Sequence, residues 1–320
     1  MNLISKLMIA GLAIISFSCS NENEKGSTTT SKTTVATALA TTPKKFLFDA
    51  TKAETAGNAD WVLDADTSPQ RFPTPAQSTV TATTTESYWR GGLSSWGIAL
   101  AKLGHTVETL PSGTAITYGG TGAQDLKNYD VFVVDEPNTR FTAAEKTAIL
   151  NFVKNGGGLF MISDHTVSDR NNDGWDSPAI WNDLMSTNSV QANPFGITIT
   201  LNNFSETTSN RLSTTTNPIL NGSQGTVTQL KYSNGASMSI NTTANPTAQG
   251  LIWRGSSSQG TSNIMCATAT FGTGRVVVIG DSSPADDGTG ATGDTLYPGW
   301  TELASHSRLH MNASLWLAKL

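Results

Sequence analysis

Cysteine and charged side chains are scarce in this sequence. The chain of 320 residues has 2 cysteines, and Asp, Glu, Lys and Arg together make up 14% of it. Two cysteines cannot form the disulfide framework of a small secreted domain. Thr, Ser, Asn and Gly replace the missing charges, which is typical of polar secreted proteins. Lys and Arg number 20 against 25 acids, so the charge predicts no nucleic acid partner.

Long hydrophobic runs are absent as well. The main apolar stretch, residues 7–17, follows Lys6 and would form about 16 Å of helix, too short for a membrane core of about 30 Å. Residues 1–18 are therefore predicted to be a signal peptide. The sequence from Ser16 to Cys19 resembles a bacterial lipobox, which implies that Cys19 is lipidated and anchors an extracytoplasmic protein to outer-membrane lipid. An ordinary signal peptide cleaved nearby is the alternative.

The segment that follows has no hydrophobic period. Residues 19–43 are rich in Asn, Glu and then Thr, a composition that predicts a solvated tether. Glu22 and Glu24 resemble the surface-export signal of Bacteroidetes lipoproteins. Residues 44–320 are then the folded domain.

Strand and helix patterns alternate in this domain. Apolar runs at residues 45–49, 129–134, 159–162 and 275–279 predict strands of a parallel sheet. Helical spacing predicts helices over residues 86–104 and 306–317, and a capping box at Thr142 and Glu145 begins another that reaches Val153. Residues 195–270 carry short alternating runs and predict a β-rich insertion. The pattern as a whole predicts an α/β fold with helices on both faces of a parallel sheet.

Three segments carry a family resemblance: residues 141–146, 153–162 and 271–281. They resemble class I glutamine amidotransferase-like domains, especially the ThuA-like and gliding-motility GldG-type branches. This resemblance implies a flavodoxin-like fold for most of residues 44–320. Amidotransferases place a cysteine nucleophile after the strand that corresponds to residues 159–162, whereas this chain has Ser163, Asp164 and His165 there. The amidotransferase mechanism is therefore not expected, and the resemblance singles out His165.

Acidic residues follow the predicted core strands directly. They are Asp49, Asp135 with Glu136, Asp164 beside His165, and Asp281. Ligands of open parallel sheets bind beyond the carboxyl ends of the strands, so these residues predict a site at that edge. The predicted catalytic residues are Asp164, His165, Asp281 and His306, the last at the start of the final helix. The alternative is that strand-end acids only cap the elements that follow them.

Two acidic loops predict a divalent cation, calcium or similar. In the first, Asp169, Asn171 and Asp173 have the D-x-N-x-D-G spacing of half a calcium loop, with Asp176 nearby as a further ligand. Ile180 stands where an EF-hand needs an acid, so this is not an EF-hand. The second loop supplies Asp286 and Asp287. The alternatives are an Asx-rich turn and a solvated acidic loop.

A mixture of polar and aromatic residues predicts a binding surface for a glycan or another polar small molecule. The candidate substrate-binding residues are Asp49, Asn58, Asp60, Trp61, Glu136 and Trp175. For the tryptophans, the alternative is a place in the hydrophobic core.

Two functions are compatible with these features. The first is an extracytoplasmic, cation-dependent hydrolase that acts on a glycan or another polar substrate. The second is a non-catalytic envelope lipoprotein that binds such a ligand and has a structural calcium loop. The sequence contains no G-x-S-x-G, P-loop or H-E-x-x-H motif, which disfavours serine esterases, nucleotide hydrolases and zincins.

Overall fold

A computed structural model describes residues 42–65 and 68–320. The predicted signal peptide, Cys19 and nearly all of the predicted tether lie outside these residues. Within the described ranges, the structure contains no helix with the length and apolar character needed to cross a membrane.

The folded chain contains thirteen strands and five α-helices in its described part. The strands are β1 (Lys45–Asp49), β2 (Thr106–Leu110), β3 (Val131–Asp135), β4 (Gly158–Ile162), β5 (Ile197–Ile199), β6 (Phe204–Thr208), β7 (Asn221–Gly222), β8 (Gly225–Thr226), β9 (Leu230–Gly235), β10 (Met238–Ile240), β11 (Gln249–Trp253), β12 (Ile264–Phe271) and β13 (Gly274–Ile279). The helices are α1 (Ser94–Lys102), α2 (Ala143–Lys154), α3 (Ser177–Ser186), α4 (Gly299–Glu302) and α5 (Ala304–Leu317).

Nine of these strands form one mixed sheet within the described residues. Its order is β2-β1-β3-β4-β13-β12-β10-β5, and β11 also pairs with β12. The five strands from β2 to β13 are parallel, whereas β12, β10, β5 and β11 are joined by antiparallel pairing. The predicted α/β, flavodoxin-like class is confirmed. In the segment 195–270, β5, β10, β11 and most of β12 extend the main sheet, while β6–β9 and β7–β8 form two small separate sheets.

The parallel strands are buried on both faces because their side chains alternate between two hydrophobic clusters. Phe132 and Met161 pack in one cluster, which includes residues of α2 and α3. Val133 and Phe160 pack in the other, which includes residues of α1 and α5. This burial explains why the strand sequences are continuously apolar rather than alternating. In the central strands β3 and β4, acidic side chains are found only at or beyond the strand ends.

The helix boundaries follow local chemistry. The capping box at α2 is present: the Glu145 amide donates to the Thr142 hydroxyl, and the Glu145 carboxylate accepts from the Thr142 amide. Helix α1, in contrast, begins at Ser94 and not at residue 86 as predicted. The reason is Gly91, where a Cβ atom would lie 2.1 Å from the Val62 carbonyl oxygen. The chain before α1 is therefore a glycine-dependent loop pressed against residues 60–63.

Candidate functional site

The carboxyl edge of the parallel sheet carries a network of buried acids. Glu136 follows β3 and Asp164 follows β4, and both are almost completely buried. The Ser168 hydroxyl joins them, since it lies 2.7 Å from Glu136 Oε1 and 2.8 Å from Asp164 Oδ2. The Ser282 hydroxyl, beyond β13, donates to Glu136 Oε2 at 2.8 Å. The ends of three neighbouring strands thus meet at one point.

Arg170 supplies the positive charge of this network. Its Nε donates to Glu136 Oε1 and its Nη2 to Glu136 Oε2 at 3.2 Å, while Nη2 also lies 3.5 Å from Asp164 Oδ2. The guanidinium group lies 5.6 Å from the centre of the Trp61 ring. A fork of this kind fixes both the position and the orientation of the Glu136 carboxyl group.

The surroundings of Asp164 act differently on its carboxyl group. Burial raises the pKa of its carboxyl well above the ordinary value, and the neighbouring charges of Glu136 and Asp281 add to this effect. Arg170 and the Ser168 hydroxyl lower the pKa by less. The environment of Asp164 therefore favours the protonated form of its carboxyl group. A carboxyl group whose pKa is raised by burial is suited to donate a proton in an acid–base site.

His165 lies at the rim of the network and is partly exposed to solvent, with 20% of its side chain accessible. Its Nδ1 lies 2.6 Å from the Thr166 carbonyl oxygen. The Asn203 side-chain amide also lies 3.0 Å from Nδ1. The closer contact is with a carbonyl, which can only accept a hydrogen bond, so we assign the proton to Nδ1 and the free lone pair to Nε2. Nε2 lies 3.8 Å from Asp164 Oδ2. The structure thus brings the predicted residues Asp164 and His165 together as a pair.

Three residues with a strained backbone lie in loops at this edge of the sheet. Ala53, Glu136 and Val167 have positive φ angles of 61°, 47° and 64°, and they follow β1, β3 and β4 respectively. None is a glycine, and a β-branched residue such as Val167 rarely adopts this conformation. Strained residues of this kind cluster at functional sites, where surrounding contacts hold them in place.

Asp281 and Asp135 lie deeper at this edge. Asp281 accepts hydrogen bonds from the Ser283 amide at 2.8 Å, from the Ser283 hydroxyl at 2.6 Å and from the Ser233 amide. Burial raises the pKa of Asp281 to about 7. Neither carboxyl oxygen of Asp135 has a hydrogen-bond partner among the described residues, and burial raises its pKa well above the ordinary value. Both side chains are buried beneath the network and do not face solvent.

His306, predicted as catalytic, has its two ring nitrogens bound to the backbone. Nδ1 lies 2.7 Å from the Gly299 carbonyl oxygen, and Nε2 accepts from the Lys231 amide at 3.0 Å. It lines a cleft of about 110 Å³ together with Ser233, Ser283 and Tyr297. As placed, His306 has no lone pair free to ligate a metal or to accept a proton.

The predicted calcium loop is closed by hydrogen bonds within the chain. Asp169 accepts from the amides of Asp173 and Gly174 at 3.0 and 2.7 Å. Asn171 Oδ1 accepts from the Asp173 amide, and Asp173 accepts from that of Trp175. Asp176 caps α3 by accepting from the Ala179 amide at 2.9 Å. These contacts are those of an Asx-rich turn followed by a helix cap, the alternative that the sequence left open.

Asp286 and Asp287 also hold backbone amides. Asp286 accepts from Gly288 and Tyr297, at 2.8 and 2.7 Å, and Asp287 Oδ2 accepts from Ser95 at 2.7 Å. Across residues 42–65 and 68–320, no group of three or more His, Cys, Asp or Glu side chains is arranged so as to hold a metal ion. The divalent cation stays a prediction from the sequence.

The predicted substrate-binding residues are divided between the core and the rim. Asn58 is exposed, and Trp175 is partly covered by Arg140, whose guanidinium lies 3.9 Å from the ring centre. Trp61, Asp49 and Asp60 are buried. Trp61 supports the rim from below, because the partly exposed Tyr297 ring stacks on it with centroids 6.5 Å apart. Of the two aromatic residues, Tyr297 is the one that a ligand can reach.

The sequence analysis missed Ser168, Arg170, Ser282 and Tyr297. Arg170 had a recognisable signal, since it is a single basic residue within an acidic loop that directly follows a predicted strand end. The two serines had none, because serine is common throughout the chain. Tyr297 is distant in sequence from Trp61, and only the fold brings them together.

Comparisons with known proteins identify a fold and no family. No protein-family model matches the chain, and no curated protein matches it. The solved mmIFT52 N-terminal domain is similar over 85% of this chain and 97% of that domain, with 16% identity and a TM-score of 0.51. A cytoplasmic protein of Salmonella typhimurium covers 86% of this chain and 98% of its own, with 12% identity and a TM-score of 0.47.

Similar solved structures also include ThuA-like proteins, the branch that the sequence resembles. One from Bacteroides uniformis, titled a putative ThuA-like protein, covers 86% of this chain and 91% of its own, with 11% identity and a TM-score of 0.42. At identities this low, the likeness concerns the fold alone.

Removal of Arg170 tests the charge balance of the network. We expect Arg170→Met to lower the free energy of unfolding by about 3–5 kcal/mol, because it leaves buried carboxylates without a counter-charge. The loss should shrink in acid, where the carboxyl groups become protonated. Urea unfolding at two pH values measures both effects. Arg140→Met is the matched control, since Arg140 is exposed, and equal losses in the two variants would contradict the assignment.

A second test concerns Asp49 and Glu54, two buried carboxyl groups that lie close enough to influence each other's protonation. Burial raises the pKa of Asp49 to about 6 and that of Glu54 well above its ordinary value. The folded state therefore holds protons that the unfolded state releases, and stability falls as pH rises from about 4 through about 6. We expect Glu54→Gln to flatten this fall in urea unfolding series. Glu302→Gln, at an exposed position, should leave the fall unchanged, and an equal flattening in both would refute the pairing.

Proposed function

We propose that the carboxyl edge around His165 is the active site of a hydrolase for a hydroxyl-rich polar substrate, such as a glycan. The observation that carries the proposal is the pair formed by His165 and Asp164. A partly exposed imidazole is assigned a free lone pair on Nε2, and that atom lies 3.8 Å from a carboxyl group whose pKa is raised by burial. This pair offers a base and an acid side by side.

In the proposed reaction, His165 Nε2 takes a proton from the attacking water while Asp164 gives its proton to the leaving oxygen. The water oxygen forms the new bond as the bond to the leaving group breaks. The imidazolium of His165 then returns a proton to the Asp164 carboxylate, which restores both groups. Arg170 stays bound to Glu136 throughout, and its charge stabilises the Asp164 carboxylate while that group is ionised.

The substrate class follows from the rim. Asn58 and Asn203 present amide groups to solvent, and amides both donate to and accept from hydroxyl groups. Tyr297 offers an aromatic face supported by Trp61. Polar groups around an apolar ring suit a sugar, which has hydroxyl groups at its edge and C–H groups on its face.

Three further elements of the proposal come from the sequence. The chain is a lipoprotein anchored through Cys19 outside the cytoplasm, it belongs to the ThuA-like branch, and a divalent cation such as calcium assists it. The acidic loops support the cation, and the lipobox-like residues support the anchor. The cation would bind near the acidic loops, and no step of the proposed reaction passes through it.

Binding without hydrolysis is a second candidate, favoured by one observation. Both oxygens of Glu136 are already occupied by Arg170, Ser168 and Ser282, and the side chain is fully buried. A saturated, rigid network of this kind suits a binding scaffold as well as a catalytic one.

The deciding experiment is a hydrolysis screen of the purified chain against 4-nitrophenyl glycosides and 4-nitrophenyl esters, with added calcium or with EDTA. We expect turnover of at least one substrate, and a loss of about 100-fold or more in His165→Ala and Asp164→Asn, because general acid–base catalysis contributes about that much. Asp130→Asn, which precedes β3 at the opposite end of the sheet, should retain full activity.

Three other outcomes are informative. Saturable binding of a glycan by calorimetry without any product would replace the hydrolase with the binding protein. Activity that survives both site variants would refute the assigned residues. Activity abolished by EDTA and restored by calcium would support the predicted cation. Activity that neither EDTA nor calcium changes would refute that prediction.

A further inference from the structure

One wall of the candidate site is a glycine-rich segment, which we call the cover loop, residues 287–298. It is bound to the loop that follows β1, because the Thr295 amide donates to the Asn58 carbonyl oxygen at 2.8 Å and the two side chains also hydrogen bond. Its Tyr297 ring stacks on Trp61, and the Arg170 guanidinium lies over the same indole. The position of the cover loop therefore decides how far the network is open to solvent.

Two carboxyl groups meet where the cover loop contacts the chain below it. The Ala291 amide lies 3.2 Å from Asp60 Oδ2 and 2.7 Å from Asp294 Oδ2. Two ionised carboxylates that converge on a single N–H donor repel each other, whereas a proton between them turns the repulsion into a hydrogen bond. Asp60 is 2% exposed, and its other oxygen has no hydrogen-bond partner among the described residues. Water is thus unable to relieve the repulsion.

We propose that the proton shared by Asp60 and Asp294 is a latch, which holds the cover loop over the site and opens it when the proton is lost. The inference does not depend on which reaction the site performs. It adds control of access to the site, and it assigns a role to Asp60 other than substrate binding.

The surrounding charges set the pH at which the latch responds. Burial raises the pKa of Asp60 to about 8, and the nearby carboxylates of Asp294 and Asp286 contribute to the rise. On the other side, an Arg90 Nη2 lies 3.5 Å from the Gly290 carbonyl oxygen, and Arg170 lies above the neighbouring Trp61. Because the folded pKa is raised, the latch is closed below about pH 8 and opens above it.

Glycines allow both the contact and the movement. Gly288 and Gly293 flank the latch with φ angles of 78° and 107°, a region that glycine enters without strain. At Gly290, a Cβ atom would lie 2.4 Å from Asp60 Oδ2 and 3.0 Å from Asp294 Oδ2. A side chain at this position would push the two carboxyl groups apart.

Hydrogen–deuterium exchange of the full chain tests the latch through peptides that span residues 287–298. After correction for the intrinsic effect of pH, the wild-type amides should lose about tenfold in protection between about pH 6 and about pH 9, as the latch proton dissociates. Asp294→Asn should stay protected at both pH values, because an amide can donate to the Asp60 carboxylate. Gly290→Ala should be unprotected at both.

The controls distinguish the latch from a general loss of structure. Glu302→Gln, at an exposed position just beyond the cover loop, should keep the wild-type response, and peptides from β4 should not change. If Asp294→Asn fails to fold, Asp60→Asn replaces it in the test, because this variant converts the other carboxyl group of the pair to an amide. Equal wild-type protection at both pH values would overturn the proposal, as would a loss in Asp294→Asn that matches the wild type.

Discussion

Burial of negative charge is the constraint on which the carboxyl edge of this protein depends. The apolar strands at the centre of the parallel sheet carry acids at their ends. A carboxylate that is taken out of water needs a counter-ion, a proton or hydrogen-bond donors. The molecule uses all three: Arg170 pairs with Glu136, the raised pKa values of Asp164 and Asp60 favour their protonated forms, and backbone amides donate to Asp286 and Asp287.

Because the buried carboxyl groups are compensated in different ways, chemically similar residues form an asymmetric site. Glu136 and Asp164 share the Ser168 hydroxyl and lie near the same guanidinium group. Only Glu136 receives the bidentate contact, whereas burial raises the pKa of Asp164. His165 lies beside Asp164 and reaches solvent. The strained backbone after β1, β3 and β4 keeps these side chains in position, since the loops cannot relax without breaking the network.

The sequence contained enough information for the core and for part of the site. Strands β3 and β4 are continuous apolar runs, and the capping box of α2 is a local motif, so both could be recognised without tertiary information. The acids at the strand ends were found by the same logic, and the structure brings Asp164, Glu136 and Asp281 to one edge. Sequence patterns are sufficient to predict elements whose stabilising contacts join residues that are close together in the sequence.

Other features depended on contacts between distant residues. The start of α1 was predicted too early because helical spacing continues through Gly91, whose close contact with Val62 is invisible in the sequence. Trp61 resembles a ligand platform in its polar loop, yet the fold covers it with Tyr297. The D-x-N-x-D-G pattern of residues 169–174 fits a cation loop and an Asx turn equally well, because both use side-chain oxygens at the same spacing.

The placement of β13 between β4 and β12 has a consequence for how the chain folds. Strand β4 pairs with β3 on one side and with β13 on the other, and the second partner arrives more than a hundred residues later in the sequence. Until then β4 is an exposed edge, and the parallel half of the sheet is incomplete. Contacts of such long sequence separation slow folding. The parallel half of the sheet is therefore expected to be completed only after synthesis of the C-terminal part of the chain.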